Sequence, residues 1–335
     1  MFKRLFNGEI NSITVAALLV GGSSLLSRLL GIFRDRILAG QFGAGDTLDI
    51  YYAAFRIPDL IFNLLVLGAL SAGFIPIFTS LIKGPVEKIK SMLGGDHDEA
   101  WLLASNILNI LSFGLFILCG LGVIFAPQIM HLITPGFSKE KMDLTVGLSR
   151  IMFLSPIFLG ISSVFGGILQ SFKRFFVYSL SPIFYNVGII IGALYFVPRW
   201  GIYGLAWGVV LGAFFHMIVQ LPTLFSLGFK YKPIFDWRDK NARAIGKMML
   251  PRTMSLATTQ INLLVTTGFA SVLAGGSLAI FNLANNLQSF AIGIFGVSFA
   301  IAAFPTLARL AFEKEKLAAS YSATLRKILF FTGKI

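Results

Sequence analysis

Residues 10–36 read INSITVAALLVGGSSLLSRLLGIFRDR. Eighteen residues from Ile10 to Ser27 carry no charge, and then Arg28, Arg34, Asp35 and Arg36 come within nine positions. A helix rises about 1.5 Å per residue and a bilayer's hydrocarbon core is about 30 Å thick, so some 20 apolar residues make a span. The run is therefore a membrane-spanning helix with charge at its far end. Working outward, the same length of apolar sequence recurs at 48–82, 101–126, 146–171, 176–197, 201–227, 249–273 and 277–308. Counting the first run as 10–33, that makes eight candidate spans, and a ninth opens near residue 320. Segments 48–82 and 277–308 exceed the bilayer thickness, so each should tilt, bend or protrude. Pro58 and Pro76 in the former, and Pro305 in the latter, are tolerated kinks or hinges.

Composition agrees. Of 335 residues 56% are hydrophobic and only 13% charged, with 34 Phe and 34 Gly, whereas a soluble domain carries about 25% charged residues. Lys and Arg number 28 against 15 Asp and Glu, a formal net charge of +13. In a soluble chain that excess would suggest nucleic acid. Between long apolar runs it matches anionic cytoplasmic lipid faces instead, so membrane lipids are expected partners and nucleic acid is not. Cys119 is the one cysteine, and His97, His131 and His216 have no ligand spacing. A disulfide scaffold, a zinc protein and a His-based hydrolase are thereby disfavoured.

Orientation comes from the short loops. With the N-terminus in the cytoplasm, the connections on that side hold Lys83, Lys88 and Lys90, then Lys173 and Arg174, then Lys230 to Lys247, then Arg309, Lys314 and Lys316. The opposite loops hold chiefly Lys139, Lys141 and Arg199. That is the positive-inside pattern of a multi-pass membrane protein with a cytoplasmic N-terminus. The start has no small-residue cleavage site after its apolar run and reads as a retained span. The basic connection 228–248 separates six spans (1–227, a first lobe) from residues 249–335, the start of a second.

A weak internal repeat points the same way. Ala44-Gly45-Asp46-Thr47-Leu48-Asp49-Ile50-Tyr51, with Ala54-Phe55-Arg56, parallels Ala274-Gly275-Gly276-Ser277-Leu278-Ala279-Ile280-Phe281, with Ala284-Asn285-Asn286. The offset crosses six spans, an even number, so the copies run parallel through the membrane. Parallel repeats of this kind build two-lobed transporters around a central site. A second lobe of equal length would end near about residue 460, so the expectation is an all-α polytopic transporter whose first lobe is complete and whose second is partial.

Charge inside a span costs about 2.5–3.5 kcal/mol per group and persists where it pairs or lines a cavity. Here Arg28, Arg34, Asp35, Arg36, Asp49, Arg56 and Asp59 concentrate at the end of the first segment and the start of the second. Arg28 and Asp35, seven apart, fall nearly in register on a helix, and Arg34 and Arg36 flank them. Four guanidinium groups face three carboxylates, and planar guanidinium forks suit phosphate oxygens. An anionic, phosphorylated ligand is the natural inference. The plainer alternative is that Arg28 to Arg36 snorkel at the outer interface and terminate the span, although that puts a basic cluster on the side where the bias disfavours it.

Elsewhere plain readings prevail. Asp96-His97-Asp98-Glu99 is a solvated loop rather than a metal site, and Cys119 a small apolar core residue. Gly21-Gly22-Ser23-Ser24 and Gly166-Gly167 permit close helix packing. Asn282, Asn285, Asn286 and Gln288 either join helices or face a cavity. No nucleophile with a base, metal cluster or phosphate-cradling loop appears, so neither enzyme, metal nor cofactor is expected.

The run Ser23 to Asp35, then Phe42-Gly43-Ala44-Gly45, Asp49, Ala54-Phe55-Arg56-Ile57-Pro58 and Gly68-Ala69-Leu70-Ser71-Ala72-Gly73-Phe74-Ile75-Pro76 resembles the N-terminal signature of the MviN/MurJ family, lipid II flippases of bacterial wall synthesis. Gly296 and Ala303-Phe304-Pro305-Thr306-Leu307 resemble its eighth-span segment. The resemblance implies a fourteen-span fold of the multidrug/oligosaccharidyl-lipid/polysaccharide exporter type and non-covalent transport without a cofactor. It further implies a central cavity where Arg28, Arg34, Asp35, Asp49 and Arg56 receive the pyrophosphate and sugar head of a lipid-linked peptidoglycan precursor. Ser27, Asn285 and Asn286 complete the expected substrate-binding set. Two positions depart from the pattern: Phe62-Asn63 and Leu67 stand where many members have an Arg pair and Glu, and Asn285-Asn286 where they have Asp-Arg. Two other readings therefore stay open. One is an exporter of another polyprenyl-linked glycan; the other is a non-transporting scaffold that partners cell-wall synthesis enzymes.

Overall fold

The computed structural model describes residues 13–67, 73–83 and 98–291, and single positions at 318, 322 and 326. Gly68 to Ala72, Asp96 and His97, the segment with Gly296 and Pro305, and the ninth span expected near 320 lie outside the described residues. Among the described residues all regular structure is helical. The chain divides into two compact units, Met1–Ala279 and Ile280–Ile335.

The first helix, α1, runs Ile13–Phe42. It continues past Arg28 to Phe42 as one helix. It continues because Asp35 and Leu38 are buried on its packed face, and it stops where Gly43 (φ 64°) turns left-handed and its N–H closes on Ala39 O at 2.9 Å, a glycine stop. The long segment 48–82 is divided rather than continuous. Helix α2 (Asp46–Ile61) contains Pro58 and passes into a π-helical stretch, Phe62–Leu67. Helix α3 is Ile75–Lys83, with Pro76 in its first turn. A proline inside a helix deletes one i→i−4 bond, and the wider π turn comes after it within one turn. Asn63 Nδ2 donates to Asp59 O at 2.8 Å, occupying a carbonyl at that irregularity.

Helix α4 is Asp98–Ile124 and α5 is Ala126–Ile133. Next come α6 (Lys139–Met152) and α7 (Ser155–Ser171), broken just ahead of Pro156 as pre-proline sterics favour. Helix α8 is Phe175–Ile191, prolonged by a π turn at Gly192–Phe196 and by Val197–Trp200. Helices α9 (Tyr203–Ile218) and α10 (Leu221–Ser226) come next. Among the described residues four stretches are long and apolar enough to cross a membrane: Glu99–Ile124, Lys139–Ser171, Phe175–Trp200 and Tyr203–Ser226. They coincide with the third to sixth segments read from hydropathy. On α4 the side chains of Phe113, Phe116 and Leu121 are exposed, as a lipid-facing surface requires.

Helix α11 spans Lys240–Ser271 and α12 Ser277–Ala291. Helix α11 starts nine residues earlier than its apolar run, because the Asp239 carboxylate accepts from Ala242 N at 2.7 Å and caps it. The irregular part of the basic 228–248 connection is thus 228–239. That stretch is clamped to α4. Asn106 exchanges two 2.7 Å bonds with the Asp236 backbone, and Asn109 Nδ2 donates to Ile234 O at 2.7 Å. Above the clamp Trp101 gathers Phe78, Phe172 and Phe229 at ring distances of 5.5–5.8 Å. The first compact unit accordingly runs past the 228–248 boundary of the hydropathy pattern and takes in α11.

The closest helix contact among the described residues is α8 on α9. Gly188 meets Gly212 and Gly192 meets Gly208 backbone to backbone; a Cβ on Gly208 would lie 2.7 Å from Gly192 Cα. Among the described residues these glycines provide the small-residue seam, and a Cβ on Gly21 or Gly22 meets nothing within 4 Å. Gly167, where an added Cβ would lie 2.8 Å from the Phe74 ring, fits its expected packing role. Small residues let backbones approach where lipid offers no hydrophobic drive for association. Gly208→Leu should overpack this seam and cost about 1–3 kcal/mol. The expected outcome is a lower thermal midpoint by scanning fluorimetry of the detergent-purified protein, with Gly21→Leu near wild type.

Candidate functional site

The arginines of the first two segments fall into separate environments. On α1, Arg34 is mostly buried. Its Nε and Nη2 donate to Asp35 Oδ1 at 3.0 and 2.8 Å, and its Nη1 to Asn186 Oδ1 of α8 at 3.1 Å. Asn186 in turn donates through Nδ2 to Ser27 O and Oγ, both at 3.3 Å, and to Pro182 O at 3.1 Å. The pair Arg34–Asp35 is thus tied to a second helix through one amide. Sequence reading set Asp35 in register with Arg28; the structure joins it to Arg34, since a long guanidinium stem folds back on its neighbour. Arg28 and Arg36 are exposed on the same helix.

Arg56, on α2, donates Nε to Thr267 Oγ1 of α11 at 2.9 Å. Thr267 is fully buried and its hydroxyl also donates to Leu263 O at 2.8 Å. This contact joins the first span pair to the helix after the basic connection.

Asp49 is a deeply buried carboxylate, with its side chain 2% exposed. Its Oδ2 accepts from Lys141 Nζ and Gly276 N, each at 2.8 Å, and its Oδ1 accepts from Ala279 N at 2.8 Å. Lys141, which also reaches Asp46 at 2.7 Å, lies 4.3 Å from the Phe137 ring centroid. The Asp49 carboxylate thus caps the start of α12, where free N–H groups and the helix dipole favour a negative charge. Gly276 takes φ 91° there and packs against Ala44 O, a conformation and approach open to glycine alone. The two repeat copies thus begin their helices side by side, at Asp46 and at Ser277.

A cavity of about 270 Å³ opens inside the first unit. Arg34 of α1, Asp59 of α2, Tyr185 of α8 and His216 of α9 supply its polar lining, with Ser155 of α7; Pro58, Pro156 and Pro182 stand among its apolar walls. Asn285 and Asn286 lie on α12 within the second unit.

The structure therefore brings Ser27, Arg34 and Asp35 together, links Arg56 to α11, and gives Asp49 a capping position. Asn186, Lys141, Thr267 and His216 were not singled out for a site by sequence reading. For Asn186 a signal existed: it is an amide one turn beyond Pro182 in an otherwise apolar span. Among the described residues no group of three or more His, Cys, Asp and Glu is placed to hold a metal ion.

A family model described as Lipid II flippase MurJ matches residues 38–332. A probable lipid II flippase MurJ of Buchnera aphidicola subsp. Acyrthosiphon pisum is 34% identical over 291 residues, covering 85% of this chain and 55% of that protein. The lipid II flippase MurJ of Burkholderia cenocepacia is 29% identical over 302 residues, 88% of this chain and 57% of that one. The chain spans about half the length of these curated relatives. Among solved structures, a lipid II flippase MurJ in an inward closed conformation superposes with a TM-score of 0.74 at 24% identity, covering 94% of this chain and 63% of that one. A multidrug-resistance transporter of the MATE family in the MOP superfamily, in an outward-facing conformation, gives 0.62 at 16% identity, covering 98% and 72%. Both share the helical fold.

Removing Asp49 leaves the Gly276 and Ala279 N–H groups without their acceptor in a buried place and Lys141 with Asp46 alone, whereas Asp46, with a side chain 66% exposed, is screened by solvent. Asp49→Ala should cost about 1–3 kcal/mol for each N–H left unsatisfied and Asp46→Ala less than about 1 kcal/mol. Thermal midpoints of the two variants in nanodiscs check the ordering.

Proposed function

The chain belongs to the lipid II flippase MurJ family, and from that membership we propose that it forms the first lobe and the opening of the second lobe of a flippase for a polyprenyl-pyrophosphate-linked peptidoglycan precursor. The protein is a multi-pass membrane transporter and not an enzyme: it moves its substrate without making or breaking a covalent bond. The observation that carries the reading is the family match over 38–332, joined to arginines on the first two spans, which is the chemistry a pyrophosphate needs.

The proposed mechanism is alternating access. The head group enters a water-filled chamber bounded by α1 and α2, while the prenyl tail stays in lipid. Arg28, Arg34 and Arg56 contact its phosphates, and Ser27 and Asp35 hold Arg34 and Asn186 in place. Guanidinium forks present paired donors at fixed geometry, which an ammonium does not. The Asp49 cap and the Arg56–Thr267 bond join the start of α12 and α11 to α2, so both are bonds that rocking of one lobe on the other has to change. With the N-terminus cytoplasmic, the Asp49 cluster lies on the outer side, where it keeps that side shut. Each charge carried across is worth about 2.3 kcal/mol per 100 mV of membrane potential.

A second reading has one observation in its favour. Phe62-Asn63 and Asn285-Asn286 replace two cationic contacts of the family pattern, which suits a related lipid-linked glycan with a different head. A wall-synthesis scaffold needs none of the arginines.

The test is complementation of a flippase-depleted bacterium by the full-length gene. Loss of one charged hydrogen bond of about 1.5–3 kcal/mol corresponds to roughly 10- to 100-fold in binding. Arg28→Ala, Arg34→Ala and Arg56→Ala, well expressed and inserted, should each fail to restore growth, and Arg34→Lys should fail too. Growth with all three alanine variants would remove the head-group reading and favour the scaffold. Rescue by wild type only in cells making another lipid-linked glycan would favour the second substrate.

A further inference from the structure

The cavity between α1, α2, α7, α8 and α9 has features that a head-group site does not need. At about 270 Å³ it holds several waters and is too small for a disaccharide-peptide head. Its walls carry one acid and one imidazole, Asp59 and His216. We propose that this cavity is a proton-binding site of the first lobe, in which the Asp59 carboxylate and the His216 imidazole take up one proton from water between them.

The geometry behind His216 carries the proposal. Ser162 Oγ on α7 lies 2.6 Å from His216 Nδ1 and 2.9 Å from His216 O. Gln220 Nε2 fixes that hydroxyl from the other side, at 2.6 Å from Ser162 Oγ, and also reaches His216 O at 3.0 Å. A hydroxyl has one proton and two lone pairs. With a neutral ring protonated on Nδ1, that N–H donates to Ser162 Oγ and the second ring nitrogen is free to accept a proton; protonated on the second nitrogen instead, the ring takes the Ser162 proton at Nδ1. With a charged ring Nδ1 donates to Ser162 Oγ, and the hydroxyl turns to His216 O. Both protonation states thus keep their hydrogen bonds without any heavy atom moving. Gln220 Oε1, fully buried and without a hydrogen-bond partner among the described residues, adds a spare acceptor to the same network. A histidine kept only for packing requires one such partner, not a hydroxyl with two places to point.

The surrounding charges set the stoichiometry. Arg34 lines the site from α1, with Asp35 paired to it. Tyr51, Tyr52 and Arg56 share α2 with Asp59, and Tyr185 of α8 meets the His216 ring edge-on at 6.5 Å. Helix α7 contributes Ser155, Pro156 and Leu159 to the lining. Arg34 is matched by Asp35. Arg56 stands against ionised Asp59, so a first proton leaves one net positive charge around the cavity and a second would add another in a low-dielectric hollow beside Arg34, which is unfavourable. One proton per cavity is the expected load.

The full-length protein in nanodiscs is the sample, and proton is the probe. Infrared difference spectra between about pH 5 and pH 8, the range where histidines switch, should show a protonated-carboxyl band that disappears in Asp59→Asn and remains in Asp143→Asn, on the exposed face of α6. The ring-carbon resonance of His216, identified by its loss in His216→Gln, should titrate, with a midpoint moved by about one pH unit or more in Asp59→Asn. A carboxyl band that survives Asp59→Asn in a folded protein, or a His216 midpoint indifferent to that change, overturns the proposal. Should Asp59→Asn fail to fold, the wild-type band must shift its midpoint in His216→Gln, and a band that does not shift, or no band at all, overturns it as well. Neither readout involves transport, so a failed complementation experiment leaves this test intact, and the reverse.

Discussion

A charged side chain in the thickness of a membrane has to find an opposite charge, a hydrogen-bonding partner or water, and this requirement organises the first unit of the protein. The charges of α1 and α2 that the structure places in its interior meet it across helices. Arg34 takes Asp35 beside it and Asn186 from α8; Arg56 takes Thr267 from α11; Asp49 takes Lys141 from α6 and two N–H groups at the start of α12. Each polar side chain therefore acts as a tie between spans. Hydrophobic contact cannot play that part, since lipid tails are as apolar as the leucines they would replace.

These ties differ in kind, and the difference has consequences for movement. The α8–α9 seam is backbone against backbone through glycines, a contact with no rotamers to exchange, and it reads as a rigid block. The Asp49 cap and the Arg56–Thr267 bond consist of single polar contacts that water or a bound anion is able to replace. A two-lobed transporter needs both, a block that keeps its shape and contacts that exchange. The π-helical stretch after Pro58 and the break before Pro156 mark where helices of the first unit depart from regularity, and Pro58 and Pro156 both line the internal cavity. Irregular backbone at membrane depth is tolerated where it borders protein or water rather than lipid.

The places of the third to sixth spans were legible from hydropathy, because lipid acts as a uniform solvent and selects locally for length and apolarity. The four apolar stretches from Glu99 to Ser226 lie where the sequence puts them, and the start of α12 agrees with the repeat. Helix ends were less legible. Helix α1 runs past Arg36 to its stop at Gly43, and Asp239 starts α11 well before its apolar run, since caps depend on short-range hydrogen bonds that outweigh the hydropathy of a few residues.

The same division holds for the site. Unusual charge inside a span is visible in one dimension, so Arg28, Arg34, Asp35, Asp49 and Arg56 stood out, and the family signature around them carries the membership. Their partners did not stand out. Asn186 and Thr267 lie more than 150 residues from the arginines they meet, and Lys141 counted only as a loop charge until folding set it between two aspartates. His216 looked like an isolated imidazole in an apolar run; only the packing of α7 on α9 gives it a hydroxyl with two places to point. Chain order determines which groups are costly to bury, whereas which of them neutralise one another depends on distances of about 3 Å between helices, a scale at which a hydrogen bond either forms or does not.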